Sequence, residues 1–186
     1  MYSILVAYFV LVAHFAITEG RRRGQGVKGG QYDKKSTRFI GLAVLINVII
    51  LISANALNCL QIGLMTDVIG WIGIAVMLCG TALRLWATQT LGKFYTRTLL
   101  ISDGHRIVRE GPYRILRHPG YLGIILLWIG AGLATANWIA AVLVTFTILA
   151  PYPYHIHCEE RMLVASFERK YKEYADHTWR LFPFIW

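Results

Sequence analysis

The chain reads as an all-α integral-membrane helical bundle, with five transmembrane helices and a cytoplasmic C-terminal amphipathic helix. Three observations predict this. The 186 residues are 56% hydrophobic and 16% charged, with formal net charge +9 and mean hydropathy +0.49. The apolar residues fall in long blocks, as they do when the solvent is lipid. Lys and Arg are confined to the segments between alternate blocks.

The blocks are Tyr2–Thr18, Phe39–Leu60, Val68–Leu91, His118–Ala134 and Trp138–Tyr154. A spanning helix needs about 20 apolar residues, with a lower limit near 17. The second and third blocks are long enough to span; the other three sit near the limit. The first differs from a signal peptide. It lacks a basic n-region, Arg21-Arg22-Arg23 follows it, and no Ala-x-Ala cleavage site appears. It is expected to remain as a span with its N-terminus outside. The last two blocks are separated only by Thr135-Ala136-Asn137, which predicts a tight helical hairpin.

The loop Glu19–Arg38 carries seven Lys and Arg, Gly92–Arg117 six, and the tail beyond Tyr154 five, together 18 of the 19 in the chain. Five spans place all three segments on one side, and the opposite side carries only Asp67. The positive-inside rule makes the basic side cytoplasmic, together with the C-terminus. The net charge therefore reflects topology and contact with anionic membrane lipids, and it does not argue for a nucleic-acid partner. One domain over 1–186 is expected, with a two-span part at 1–67 and a catalytic part at 68–186.

Arg84 is the exception to the segregation, about two turns inside the third block. An arginine there costs a few kcal/mol unless it snorkels or finds a partner. Thr81, Arg84 and Thr88 share one helical face. Gly73, Gly80 and Ala87, spaced by seven, mark a neighbouring face suited to close helix packing. Asn47, Asn55 and Asn58 cluster on the second block, where interhelical hydrogen bonds would account for them. Cys59, Cys79 and Cys158 show no CxxC spacing. The His155/His157 pair lacks a further ligand set, so no metal is expected. There is no GxGxxG, no P-loop, and no room for a soluble Rossmann domain.

Polar chemistry concentrates in Leu99–Tyr121 and in the tail. Gly111-Pro112 makes a turn, Arg114 and Arg117 follow, and His118-Pro119 opens the fourth block with His118 at the cap position. Pro119 suits a first helical turn, where its missing N–H had no partner. Cations beside free helix N–H groups favour an anionic ligand. Topology anchoring is the plainer reading of the same arginines. In the tail, Glu159-Glu160 is expected to open an amphipathic helix whose apolar face is Leu163, Phe167, Tyr171 and Tyr174. With a tight hairpin, Glu159 returns to the bilayer edge where His118 lies.

The run LLISDGHRIVREGPYRILRHPGYLG, the hairpin, and EExxxLxxxFxxxYxxY with a terminal Pro-Phe-Ile resemble the isoprenylcysteine carboxyl methyltransferase family. The resemblance covers roughly residues 80–185. The small size resembles prokaryotic members and so implies a prokaryotic cell membrane. It implies S-adenosyl-L-methionine as methyl donor, with His105, Arg106, Ile107 and Val108 wrapping the cofactor. Further cofactor contacts fall on Tyr113, on His118, Pro119, Gly120 and Tyr121, and on Glu159. Arg84 falls at or near a functionally required arginine of the family, and Arg84, Arg117 and Glu159 are the implied catalytic set. His155 stands where prenylcysteine enzymes place a substrate-side arginine, so His155 and Tyr154 are the expected acceptor contacts.

The implied reaction is methylation of the carboxylate of a lipophilic, isoprenylcysteine-like or prenylated-cysteine acceptor at the cytoplasmic membrane face. An ionised carboxylate needs no general base, so positioning and exclusion of water suffice. Three other readings remain. A phospholipid N-methyltransferase shares the C-terminal pattern, and its amine would need deprotonation by Glu160, His155 or His157. An NADPH-dependent sterol-type reductase typically carries Asn where this chain has Gly120. A non-catalytic scaffold would explain the glycines and asparagines but not the facing polar segments.

Overall fold

The computed structural model describes residues 2–23, 34–56, 66–92 and 107–183. Among the described residues six α-helices form: α1 (Tyr2–Arg23), α2 (Lys34–Ala56), α3 (Thr66–Leu91), α4 (Pro119–Ala134), α5 (Trp138–Leu149) and α6 (Tyr152–Ala175), with a 3-10 turn at Gly111–Arg114 before α4. Among the described residues there is no strand beyond one isolated parallel bridge, Leu116 with Trp179. Of the described residues, three helical stretches are long and apolar enough to cross a bilayer, Ser36–Ala54, Asp67–Leu91 and Trp138–Ala175, and two shorter apolar helices are Tyr2–Thr18 and Pro119–Ala134. Each of the five apolar blocks thus has its helix. Phe9, Leu45, Trp71 and Phe146 are exposed, and the buried core runs through Met77, Ile125, Trp128, Val144 and Ile156. An apolar exterior of this kind suits a lipid solvent.

The seam between α3 and α4 is built from small residues. A Cβ on Gly73 would lie 2.5 Å from Ala134 N, one on Gly80 2.6 Å from Gly123 O, and one on Gly130 2.5 Å from Gly73 O. These are backbone atoms, so the helices approach as closely as glycine allows. Ala87, fully buried, meets the Gly120 position from the same face of α3. The seven-residue stripe therefore sets the distance between α3 and the start of α4.

The hairpin forms as expected. Asn137 caps α5 by accepting from Ala140 N at 3.1 Å, a favoured N-cap arrangement. Two expectations need correction. Glu159 and Glu160 do not open the tail helix: α6 begins at Tyr152, directly after Pro151, because prolines are tolerated in a first turn. The glutamates fall about two turns further on, where the helix dipole gives them no advantage. They depend on side-chain partners instead. Asn47 is fully buried, and its side chain has no hydrogen-bond partner among the described residues, in place of the interhelical bond expected. The side chains of Asn55 and Asn58 lie outside the described residues.

Helix α6 also breaks its direction. Glu168 has φ 44° and ψ −118°, a left-handed backbone unusual for a residue with a Cβ. Beyond it Tyr171 and Tyr174 are buried, whereas Leu163 and Phe167 are only half-buried. The single continuous apolar face read from the sequence is thus two faces joined at a kink.

Candidate active site

The loop entering α4 is bound to the tail. Val108 and Tyr113 pack against Ala87 and Leu91 at the end of α3. Gly111 turns with φ +55°, where a Cβ would meet Thr90 Oγ1 at 2.8 Å, so glycine is needed there on both counts. Residues 115–118 then run beside Trp179 and Arg180. Trp179 N donates to Ile115 O at 2.9 Å, Arg117 N to Trp179 O at 2.8 Å, and His118 N to Arg180 O at 3.2 Å. Tyr174 donates from its hydroxyl to Tyr113 O at 2.8 Å, and the Arg109 guanidinium lies 5.7 Å from the centroid of the Tyr174 ring.

His118 is buried between two carboxylates. Its Nδ1 is 3.3 Å from Glu159 Oε2, and its Nε2 is 3.3 Å from Glu160 Oε1. Glu160 also receives Arg117 Nε at 2.8 Å and Arg180 Nη2 at 2.9 Å. Burial alone would raise the Glu160 carboxyl, but hydrogen bonding and charge from His118, with Arg117 and Arg180, hold it down at about 2. Burial likewise opposes ionisation of Glu159, and the His118 charge and hydrogen bond outweigh it, so its carboxyl is lowered. For His118 burial works against the imidazolium, while Glu159 and Glu160 together raise it. The three shifts agree on one state: two carboxylates around an imidazolium at the N-terminal end of α4.

A second chain of polar groups leads inward from there. The Tyr121 ring stacks on His118, with centroids 5.4 Å apart and planes 8° apart. Its hydroxyl is 3.0 Å from His155 Nε2, and His155 Nδ1 is 2.7 Å from Ser36 Oγ on α2. Arg84 reaches across the glycine seam and donates from Nη1 to Gly120 O at 2.9 Å. Its polar-stripe neighbour Thr81 meets His14 Nδ1 at 3.3 Å, while Thr88 donates to Leu85 O of its own helix.

The structure therefore brings Arg84, Gly120, Tyr121, His118, His155 and Glu159 together. Val108 and Tyr113 pack against Ala87 beside them, Ile107 precedes Val108 in the same loop, and Pro119 opens α4. His105 and Arg106 lie outside the described residues. Tyr154 is about half-exposed and packs edge-on against Phe39 of α2, 6.3 Å between centroids, away from the polar chain. Arg117 is turned to the tail. Besides Glu160, its Nη1 donates to Ala175 O and to Thr178 O at 2.8 Å. The cations of the RHPGY element, Arg117 and His118, are thus matched within the chain by carboxylates and carbonyls. Ser36, Glu160 and Arg180 are site residues that the sequence alone did not single out, or named only as an alternative base. Glu160 carried a signal in its doubling with Glu159; Ser36 and Arg180 carried none.

With this geometry in place, the comparisons are specific. The model of the isoprenylcysteine carboxyl methyltransferase family matches residues 71–165. The chain belongs to that family. A probable protein-S-isoprenylcysteine O-methyltransferase of Oryza sativa subsp. indica is 30% identical over 119 residues, covering 63% of this chain and 62% of that protein. Protein-S-isoprenylcysteine O-methyltransferase B of Arabidopsis thaliana is 32% identical over 115 residues, covering 61% and 58%. The chain thus spans less than two thirds of the length of these curated relatives. Among solved structures, the eukaryotic intramembrane Ras methyltransferase of the same family superposes with TM-score 0.62 at 24% identity, covering 78% of this chain and 52% of that one. That likeness shows the fold. The family match ends at residue 165, so Glu159 and Glu160 lie inside it, while the strap of Trp179 and Arg180 lies beyond it.

Proposed function

We propose that the chain is an S-adenosylmethionine-dependent methyltransferase acting on the carboxylate of a lipophilic, isoprenylcysteine-like acceptor at the cytoplasmic membrane face. Family membership supports methyl transfer. The observation that carries the reading in this chain is the meeting of the RHPGY element with Glu159, at the end of a seam that also delivers Arg84.

The residues suit such a cofactor. Glu159 Oε2 is buried, with His118 Nδ1 at 3.3 Å as its ionic neighbour. A carboxylate oxygen has lone pairs for a further ammonium or hydroxyl donor. When bound, the cofactor supplies an electrophilic methyl on a sulfonium. The π faces of Tyr113 and Tyr121 would stabilise that positive charge, and Ile107 and Val108 would exclude water. Arg84 would orient the acceptor carboxylate from the membrane side while fixing the backbone at Gly120. A permanently charged, planar donor fork fits that task. Arg117 acts as a positioning residue, holding the loop to the tail. Once the acceptor is ionised the methyl-transfer step itself demands no proton transfer, and its rate gain comes from orientation.

Calorimetry on detergent-purified protein tests the cofactor. S-adenosylhomocysteine should bind and NADPH should not, and Glu159→Gln should weaken that binding by about 10-fold or more, as loss of a charged hydrogen-bond partner does. Absence of binding by the wild-type chain would overturn the reading. For the acceptor, base-labile label from a methyl-labelled donor and a farnesylated cysteine derivative is expected. Base-stable label on phosphatidylethanolamine would instead favour an amine acceptor.

A further inference from the structure

The reaction as derived makes no use of the buried pair behind Tyr121. His155 is 2% exposed and has a hydroxyl at each ring nitrogen, Tyr121 at Nε2 and Ser36 at Nδ1. A hydroxyl both donates and accepts. The neutral ring is satisfied by accepting from Tyr121 and donating to Ser36, and the imidazolium is satisfied by donating to both. In the neutral state Tyr121 gives its one proton to His155; in the charged state that proton is free for Glu159, with which Tyr121 also hydrogen-bonds. A structural hydrogen bond needs one fixed polarity; this arrangement holds either.

The need for such a group follows from where the acceptor travels. A carboxylic acid carried by an apolar anchor in hydrocarbon or at the bilayer edge is held un-ionised by desolvation. In that form it is not the nucleophile. We propose that His155, acting through the Tyr121 hydroxyl, is the proton acceptor that ionises a lipid-borne carboxylic acid at this site. The proposal rests on the methyltransferase reading above.

The bonds balance. The acid O–H breaks as its proton passes to Tyr121 Oη, and the original Tyr121 proton passes to His155 Nε2, leaving a carboxylate and an imidazolium. The carboxylate then forms a C–O bond to the methyl carbon as the C–S bond breaks, its electron pair remaining on sulfur. Products are a neutral ester and a neutral thioether. The imidazolium returns its proton through Tyr121 towards Glu159, which interacts with both residues, and so to the cytoplasmic edge. The groups that bear on this titration are Ser36 from α2, Tyr121 from α4, and Tyr152 and Glu159 from α6. His118 stacks on Tyr121, and Arg84 of α3 acts on Tyr121 electrostatically. Helix α5 presents no ionisable side chain.

A neutral acid with neutral histidine and a carboxylate with imidazolium give the same pH profile, so the test turns on substitutions. The readout is kcat/KM for a farnesylated cysteine acceptor in vesicles across pH 6 to 9, with S-adenosylhomocysteine affinity measured alongside by calorimetry. Proton uptake predicts that His155→Gln lowers kcat/KM at pH 6.5 by about 100-fold, the lower end of general-base effects, and that the loss shrinks as pH rises and the acceptor ionises by itself. His155→Arg, a fixed cation, should not restore activity. S-adenosylhomocysteine affinity should stay within about 3-fold. Full activity in His155→Arg would overturn the proposal in favour of a simple cation, and a wild-type profile in His155→Gln would overturn it outright. Should His155→Gln fail to fold, Ser36→Ala decides. Proton uptake moves the acidic limb of its profile to lower pH, because the imidazolium loses an acceptor; an unmoved limb overturns the proposal. Failure of the wild type to bind S-adenosylhomocysteine would instead indict the methyltransferase reading itself.

Discussion

Glu160→Gln isolates what holds the tail to the α4 entrance. The Glu160 side chain is 13% exposed, and Arg117 Nε, Arg180 Nη2 and His118 Nε2 lie 2.8, 2.9 and 3.3 Å from its oxygens. The amide keeps the shape and one acceptor oxygen but removes the charge, leaving three cationic groups around a neutral side chain. Breaking a largely buried ion pair from one side costs about 3–5 kcal/mol, and the residual amide bond places this case near 3. At roughly 2–4 °C per kcal/mol for a chain of this size, the melting temperature in detergent at neutral pH should fall by about 6–12 °C. The chain carries its own control. Arg169 and Glu173 form an i,i+4 pair of similar length, 2.8 Å, with side chains 90% and 53% exposed. Such pairs contribute about 0.3–0.5 kcal/mol, so Glu173→Gln should shift melting by no more than about 2 °C. Hydrogen exchange should report the same event locally. The Trp179 and Arg117 amides, bonded across the bridge, should exchange faster in Glu160→Gln only. Equal shifts for the two variants, or unchanged exchange at Trp179, would refute the reasoning.

Three other outcomes follow from the same structure. The His118 imidazole is raised by its glutamates, so its contribution is fully present below pH 6.5 and is lost as pH rises through the higher folded value. Melting temperature should therefore decline from pH 6.5 towards 9 in the wild type and stay flatter in His118→Gln, and parallel slopes would contradict this. Gly73→Val should prevent recovery of monodisperse protein because its Cβ meets backbone, whereas Gly41→Ala, with nothing within 4 Å, should be neutral or slightly stabilising. Glu168→Gly should raise melting by about 2–4 °C by relieving a left-handed residue worth roughly 1 kcal/mol, and a fall would show that the kink is not where the structure puts it.

The helices were legible because lipid demands long apolar runs, and the hairpin because a connection of three residues leaves no other arrangement. The glycine stripe was legible for a similar reason: a seven-residue spacing of small residues has few uses other than close packing. From these the meeting of Glu159 with His118 could be deduced, since a short hairpin returns the chain to the edge it left. What stayed hidden depends on contacts between distant segments. Ser36 finds His155 across 119 positions, and Arg117 finds Thr178 across 61. Neither pairing leaves a periodic trace. The start of α6 was misplaced because its first turn is apolar and reads as the end of a span; Pro151 and Pro153 were compatible with a boundary but did not demand one. The role of Arg117 was obscured for a different reason. An arginine at a bilayer edge serves anchoring, ligand binding or clamping equally well by composition, and only its partners distinguish them.

The starting point of α6 has a functional consequence. Had the helix opened at Glu159, the two carboxylates would have been fixed by free N–H groups and the dipole, independent of the loop facing them. Starting at Tyr152 instead makes both His155 and Glu159 helical, so their four-residue spacing puts them on one face, with Glu160 rotated by one position towards the tail. One helix thereby serves two contacts. Its 155/159 face meets Tyr121 and His118, where the chemistry is proposed, and Glu160 meets Arg117 and Arg180, which close the strap. Because His118 touches both glutamates, the site and the strap share a charge. Opening the strap should change the electrostatics of the pocket, and filling the pocket should tighten the strap by the same free energy. Saturating S-adenosylhomocysteine should thus slow exchange at the Trp179 amide in the wild type, and Glu160→Gln should weaken its binding although Glu160 turns towards the tail. If ligand leaves Trp179 exchange unaltered while binding normally, the two contacts are independent and the helix merely carries both.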